Sequence, residues 1–165
     1  FVAKIIAARE AKNDSSFMII ARIESLIAKL GMEDAVNRAN AYEKAGADAI
    51  VIHSKEKTPD EVFRFCELWN GDIPIVVIPT SYSGVTTKEL IEHKIKMVIY
   101  ANQTLRTSHI HISKLLEELK KFDNLNQISQ EMSSMEDIFK LQQMYGIKKD
   151  EENIKNELRK MGYID

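Results

Sequence analysis

The sequence predicts an α/β fold in which four parallel strands alternate with helices. Four short apolar runs rich in strand-forming residues begin near positions 17, 48, 75 and 96, and each is followed by a segment with helical spacing. The runs are apolar at successive positions. Strands of this kind are typical of a parallel sheet that is covered on both faces.

The first unit is bounded by clear local signals. Residues 4–11 have a helical pattern, and the apolar run of residues 17–23 follows them. Apolar side chains then recur at helical spacing over residues 32–45, and Gly46 stands where the end of a helix favours a left-handed residue. We therefore predict a helix, a strand and a second helix in this order.

The second unit begins with the apolar run of residues 48–52, and its helix has the most legible start in the chain. Thr58 is the predicted N-cap, Pro59 the first helical residue and Glu61 the partner at the capping-box position. We predict that this helix continues to about Trp69.

The third and fourth units complete the series. The third run, residues 75–78, is stopped by Pro79, and a helix is predicted over residues 87–93. The fourth run, residues 97–100, precedes a long helix predicted over residues 104–122.

Two architectures suit this series, an open doubly wound sheet and a (β/α)8 TIM-type barrel of about 250 residues. Four strands alone would leave two long apolar edges open to solvent. We therefore favour a chain that supplies about half of a barrel, within a longer protein. Residues 1–122 are predicted to form the C-terminal half of the barrel, and residues 123–165 to form C-terminal helices.

The C-terminal segment has no further strand pattern. An amphipathic helix is predicted from Met135, capped by Ser133 or Ser134, and a weaker helix over residues 150–161. Helices with no strand to cover are expected to lie on the outside of the barrel or on a neighbouring subunit.

Composition excludes several classes of protein. The 165 residues carry a net charge of -2, with 23 basic and 25 acidic side chains and no dense basic cluster, so we expect no nucleic-acid partner. No apolar stretch reaches the roughly 18 residues of a membrane span, and we expect no membrane partner. A single cysteine, Cys66, forbids an internal disulfide and fits the cytoplasm. Phe1 opens inside an apolar pattern without the features of a signal peptide.

The ends of the predicted strands carry the candidate site, because catalytic groups of parallel barrels emerge there. Arg22 lies within the first apolar run, where a charge is costly unless it is paired or offered to a ligand. Its guanidinium suits a phosphoryl group or a carboxylate, and His53 at the next strand end can donate to the same oxygens or move a proton. The alternative is that Arg22 merely pairs with Glu24 and that His53 is a satisfied core histidine.

Four segments together closely resemble the second half of phosphoenolpyruvate phosphomutases, members of the isocitrate lyase/phosphoenolpyruvate mutase superfamily. The resemblance covers roughly residues 1–145, in the order and spacing of the family, and its motifs are residues 19–28, 45–55, 77–82 and 98–102. Arg22 followed by Ile23, Glu24 and Ser25 favours the branch that acts on phosphonopyruvate over the lyase branch.

This resemblance implies a magnesium-dependent isomerase, an intramolecular phosphotransferase that interconverts phosphoenolpyruvate and phosphonopyruvate in phosphonate biosynthesis. Arg22 and His53 match the residues that hold the phosphoryl group in the family. Family members exchange their last helix between the subunits of a homo-oligomer, and this exchange would account for a helix over residues 135–145.

The family's nucleophilic aspartate, its magnesium ligands and its mobile loop match nothing in this chain, because they lie upstream of the matched region. We therefore expect no metal ligand here and no turnover by these residues alone. Two rival functions are a phosphonopyruvate hydrolase and a catalytically silent barrel that serves as a binding or assembly module. An unrelated phosphate-binding barrel would need a glycine-rich loop, and Gly84 alone is too little.

The remaining polar residues are weaker candidates. Glu24 is expected to orient Arg22 rather than meet the water shell of magnesium. Other residues at strand ends that could line the pocket are Thr80, Tyr82 and Asn102. Cys66 is predicted to be a buried, inert thiol. His109 and His111 face different sides of one helix, which makes a metal pair improbable.

Overall fold

The computed structural model describes residues 1–165, which divide into two compact units, residues 1–103 and residues 104–165. The first unit alternates helices and strands as the sequence predicts. Its elements in chain order are α1 (Val2–Ala11), β1 (Ile20–Ile23), α2 (Met32–Ala45), β2 (Ala49–Ile52), α3 (Asp60–Leu68), β3 (Ile75–Val77), α4 (Thr87–Glu92) and β4 (Met97–Val98).

The four strands form one parallel sheet in the order β1-β2-β3-β4. In the register, Ile23 pairs with Ile52, Ile52 with Val77, and Val77 with Val98. The α/β class and the run of four strand–helix units are therefore confirmed. A sheet whose neighbours in space are neighbours in sequence grows in one direction, as in a segment of a barrel.

Apolar side chains cover both faces of the sheet. The larger core lies between the strands and the helices, where Ile23, Ile52 and Val77 meet Val62 and Phe65, all with no exposed surface. On the other face lies a smaller cluster, formed by Ala49, Val51 and Val76 with Ile78 and Ile99 packed against it. This second cluster explains why the strands show apolar runs instead of alternation.

Helix α2 ends as its sequence predicts. Gly46 follows the last helical residue with φ of 99°, in the left-handed region. Its backbone N–H and that of Ala47 donate to carbonyls in the last turn of the helix, on Glu43 and Tyr42. A residue with a Cβ would be strained in this conformation, so glycine is the natural terminator here.

The predicted start of α3 is wrong in its details. Pro59 takes the N-cap position without a side-chain hydrogen bond, and Thr58 donates its hydroxyl to the Asp60 carboxylate at 2.7 Å. Glu61 does not close a capping box, because its carboxylate accepts a hydrogen bond from the buried hydroxyl of Ser54 at 2.5 Å. Glu61, which the local pattern assigned to the helix cap, therefore binds a residue outside the helix instead.

Asp48, directly before β2, links the end of α1 to the sheet through a hydrogen bond and an ion pair. Its carboxylate accepts the backbone N–H of Ile19 at 2.7 Å and meets the Lys12 ammonium at 3.1 Å. The hydrogen bond from Ile19, followed by that from Lys12, keeps the pKa of Asp48 below its usual value. β1 accordingly begins at Ile20, three residues later than the apolar run that starts at Phe17.

In the second unit the structure is helical. Its helices are α5 (Gln103–Lys121), which starts at the last residue of the first unit, α6 (Met135–Leu141) and α7 (Met144–Lys160). Ser134 is the cap of α6 and accepts the backbone N–H of Asp137 at 3.1 Å. α6 ends and α7 begins several residues earlier than predicted, and neither α5, α6 nor α7 has a buried residue.

The compact units divide after Gln103, the first residue of α5. The assignment of residues 1–122 to one half of a barrel stays a prediction. The assignment of residues 123–165 to a neighbouring subunit stays a prediction. None of the helices combines the length and apolar composition that a membrane-spanning helix needs.

Candidate active site

The carboxyl ends of the four strands gather the polar residues predicted from the sequence. Arg22 is the third residue of β1, and His53 follows the last residue of β2 directly. Thr80 comes shortly after β3, and Asn102 shortly after β4. Because the sheet is parallel, all of these positions lie at the same edge.

The register orders the residues of β1 and β2 along that edge. Arg22 pairs with Val51 and Ile23 with Ile52, so the next step of the register places Glu24 beside His53. Side chains alternate between the faces of a strand. Arg22, Glu24 and His53 therefore share the face that carries the smaller apolar cluster, opposite to the helix side.

Arg22 is accessible, although it lies within an apolar run of the sequence. Its side chain is 44% exposed, and its Nε forms an ion pair with the Glu24 carboxylate, itself 51% exposed. β1 is the first of the four paired strands, and Ile20 on the same face is also exposed. Exposed ion pairs contribute at most about 1 kcal/mol, so the contact with Glu24 is too weak to keep the guanidinium from other partners.

His53 presents an unpaired ring nitrogen. Its Nδ1 is buried and has no hydrogen-bond partner. Burial, followed by the positive charge of Arg22, holds the pKa of His53 below its ordinary value, against the opposing influence of Glu24 and the Ile78 carbonyl. The imidazole is therefore neutral at pH 7. The unpaired nitrogen argues against the alternative of a satisfied core histidine.

Three further buried polar atoms lack partners, the Thr80 Oγ1, the Asn102 Oδ1 and the Tyr82 hydroxyl. Buried polar atoms are normally hydrogen-bonded, so a group of unpaired ones at a single sheet edge indicates a place for a polar ligand. Tyr82 differs from the others because its side chain is 1% exposed and belongs to the helix-side core, where burial raises its pKa to about 12.

Residues that could hold a metal ion are not gathered anywhere in the chain. No group of three or more His, Cys, Asp and Glu side chains lies close enough to coordinate one, so these residues do not fit a Mg²⁺ site. His109 and His111 are exposed on α5. Cys66 is partly buried, and burial raises its pKa to about 12, which makes the thiol unreactive near neutral pH.

Two residues beside the site escaped the sequence analysis. Ser25 and Ser54 are completely buried and donate hydrogen bonds to carboxylates in the first turn of the next helix, Asp34 at 2.6 Å and Glu61 at 2.5 Å. The signal that could have found them is a serine directly after a candidate site residue, with an acidic residue a few positions later at a helix start.

Titration of His53 should destabilise the protein in mild acid. Because its pKa is lowered by folding, the unfolded chain takes up the proton more readily, so the native state loses stability as pH falls below about 6.5. We expect the free energy of unfolding of wild type, relative to that of His53→Gln, to decrease between about pH 7 and pH 5. Denaturant titrations at several pH values measure this difference, and a difference that does not vary with pH would contradict the assignment.

Comparison with known proteins identifies relatives of this chain. The chain matches the family described as phosphoenolpyruvate phosphomutase over residues 1–120. It is 39% identical over 143 residues to the phosphonopyruvate hydrolase of Variovorax sp. (strain Pal2), covering 86% of this chain and 49% of that protein.

Solved structures agree with the sequence comparison. The phosphoenolpyruvate phosphomutase of Streptomyces platensis subsp. rosaceus superposes with a TM-score of 0.87 at 37% identity, over 92% of this chain and 53% of that one. A phosphonopyruvate hydrolase in complex with oxalate and Mg²⁺ superposes with a TM-score of 0.84 at 38% identity, over 90% and 53% of the two chains. The chain thus spans about half the length of these relatives. With more than half of its residues matching the family model, the chain belongs to the phosphoenolpyruvate phosphomutase family, within the isocitrate lyase/phosphoenolpyruvate mutase superfamily.

Proposed function

We propose that this chain supplies the phosphoryl-binding edge of a phosphoenolpyruvate mutase, which interconverts phosphoenolpyruvate and phosphonopyruvate. The observation that carries the proposal is the grouping of an accessible guanidinium, Arg22, with the unpaired Nδ1 of His53 at the carboxyl edge of a parallel sheet. Thr80 and Asn102 add unpaired polar atoms that suit the remaining oxygens of the substrate.

The chemistry of the reaction fits these groups. In the mutase direction towards phosphonopyruvate, the bond between phosphorus and the enol oxygen breaks and a bond from phosphorus to C3 forms, so the atoms balance without a co-reactant. A loose phosphoryl-transfer transition state spreads negative charge over the peripheral oxygens. Arg22 would bind two of these oxygens with its fork of N–H donors. The neutral His53 ring would donate one hydrogen bond from Nδ1, in the tautomer that carries its single proton on that nitrogen. Both groups are held by the sheet before the substrate arrives.

A phosphonopyruvate hydrolase is the second candidate, and the relative that is 39% identical favours it. In that reaction the bond between phosphorus and carbon breaks and water receives the phosphoryl group, giving phosphate and pyruvate. The same guanidinium and imidazole would serve both reactions, because each moves the same phosphoryl group. The choice between the mutase and the hydrolase reaction must therefore depend on whether water enters the site. Arg22 and His53 do not determine that access.

The assembly follows from the same proposal. We place the four strands in an eight-stranded (β/α)8 barrel, with Mg²⁺ held by ligands outside these residues. Within them no three His, Cys, Asp or Glu side chains lie close enough together to hold a metal ion. Helix exchange in a homo-oligomer would cover the exposed apolar side chains of α5, such as Leu105 and Leu116, which are 71% and 59% exposed. The single cysteine is compatible with a cytoplasmic enzyme.

Phosphorus NMR of the full-length protein with phosphonopyruvate and Mg²⁺ tests the function. We expect a phosphoenolpyruvate signal to grow while the phosphonopyruvate signal falls. Inorganic phosphate together with pyruvate would replace the mutase with the hydrolase. An unchanged spectrum would overturn both and leave the catalytically silent binding or assembly module.

A further inference from the structure

Ser54 joins the site to the following helix through a pair of hydrogen bonds. It lies directly after His53, is completely buried, and donates its hydroxyl to Oε2 of Glu61 in the first turn of α3 at 2.5 Å. The Ser54 hydroxyl oxygen also accepts a hydrogen bond from the backbone N–H of Glu56 at 3.0 Å. One serine hydroxyl thus fixes the strand end, the loop after it and the start of the helix.

The neighbouring unit repeats this arrangement. Ser25 lies directly after Glu24, is completely buried, and donates to Oδ2 of Asp34 in the first turn of α2 at 2.6 Å. The Nε of Arg38 donates a hydrogen bond to the same carboxylate oxygen of Asp34 at 2.7 Å. Continuing the register of β1 and β2 by two residues beyond Ile23 and Ile52 aligns Ser25 with Ser54.

Each serine points away from the site residue that precedes it. Since side chains alternate along a strand, Ser25 and Ser54 face the helices, while Glu24 and His53 face the opposite side. A residue anchored on the helix face leaves its neighbour little freedom to rotate out of the site. The hydrogen bond of Ser25 therefore restricts Glu24, and the hydrogen bond of Ser54 restricts His53.

We infer that the pairs Ser54–Glu61 and Ser25–Asp34 are positioning pairs, which hold His53 and the Arg22–Glu24 ion pair in the geometry that receives the substrate. This inference rests on the proposed function for its consequence in catalysis, but not for its effect on His53. The carboxylates gain a second role from their place at a helix N-terminus, where a negative charge is already favourable. A helix start is thereby coupled to each of two neighbouring strand ends.

The chain offers a matched set of variants to test the Ser54–Glu61 pair. Glu61→Ala removes the acceptor, and Ser54→Ala removes the donor. Glu61→Gln retains an oxygen that can accept the serine hydroxyl. Asp60→Ala removes a carboxylate from the same helical turn, one that accepts only from Thr58, and so controls for the lost charge.

Titration of the His53 ring by NMR in the ligand-free protein is the primary readout. Burial lowers its pKa, so a loop that opens and admits water should raise the midpoint towards its ordinary value. We expect this rise in Glu61→Ala and in Ser54→Ala, and wild-type behaviour in Glu61→Gln and Asp60→Ala. A merely structural contact would lower stability without moving the His53 titration.

Turnover of phosphonopyruvate is the second readout, with an expected loss of about tenfold in kcat for Glu61→Ala and recovery in Glu61→Gln. The inference is overturned if folded Ser54→Ala and Glu61→Ala both titrate like wild type, or if Glu61→Gln shifts His53 as much as Glu61→Ala does. Should Glu61→Ala fail to fold, Ser54→Ala decides alone. If wild type does not convert phosphonopyruvate, the proposed function fails while the ligand-free titration still tests the positioning pair.

Discussion

Arg22→Ala should lower the turnover of phosphonopyruvate by about 100- to 1,000-fold in kcat, the largest functional effect expected of a single substitution in this chain. The guanidinium is the cationic group that β1 places in the proposed site, beside a neutral imidazole that cannot replace its charge. The negative charge that develops on the phosphoryl oxygens would then lose the guanidinium that stabilises it. Steady-state kinetics with phosphonopyruvate measure the loss.

Three further variants separate the fork of donors from the charge and from the ion pair. Arg22→Lys keeps the charge but loses the planar fork, so its activity should fall between wild type and Arg22→Ala. Glu24→Gln removes the partner and should have a smaller effect than Arg22→Ala. Arg64→Ala breaks an exposed pair with Glu67 on α3 and serves as the control. Full turnover by Arg22→Ala would remove Arg22 from the mechanism.

Phe65→Ala should destabilise the first unit by about 3 to 5 kcal/mol, the largest stability effect we predict. Phe65 has no exposed surface, lies in the core between the helices and the sheet, and stacks on Trp69 with ring centroids 6.1 Å apart. Its removal leaves a cavity that the surrounding strands are too constrained to fill. Trp69 is the only tryptophan, so its fluorescence during denaturant unfolding reports on this unit.

Phe17→Ala provides the matched control for that substitution. The Phe17 side chain is 63% exposed and precedes β1, so its removal should change the free energy of unfolding by no more than about 0.5 kcal/mol. Comparable destabilisation by the two substitutions would show that the core between α3 and the sheet does not dominate the stability of this unit.

Local patterns were reliable wherever the deciding interaction is local. The apolar runs predicted all four strands, and Gly46 predicted the end of α2, because a left-handed backbone conformation after a helix depends on one residue. The capping box of α4 is equally local: the Thr86 hydroxyl oxygen accepts the backbone N–H of Glu89, and the Glu89 carboxylate accepts the backbone N–H of Thr86. Such pairs form within one turn and need no tertiary partner.

At the start of α3 the local pattern predicted the wrong hydrogen bond. Glu61 has the spacing of a capping-box partner for Thr58, yet it binds Ser54, a residue on the preceding strand end. A buried hydroxyl that lacked an acceptor would be costly, so the tertiary hydrogen bond prevails over the local one. Exposure is likewise a tertiary property, since Arg22 follows two apolar residues of β1 and its side chain is nevertheless 44% exposed.

The sequence by itself determined the parallel α/β sheet, the family and the two residues proposed to bind the phosphoryl group, since apolar runs and contiguous motifs are properties of short segments. Tertiary structure alone decided which polar atoms are left without partners, that Tyr82 belongs to the core, and that Ser25 and Ser54 bind the following helices. Those outcomes depend on burial and on distances between separate segments. Neither quantity exists until the strands have paired and the helices have packed against them.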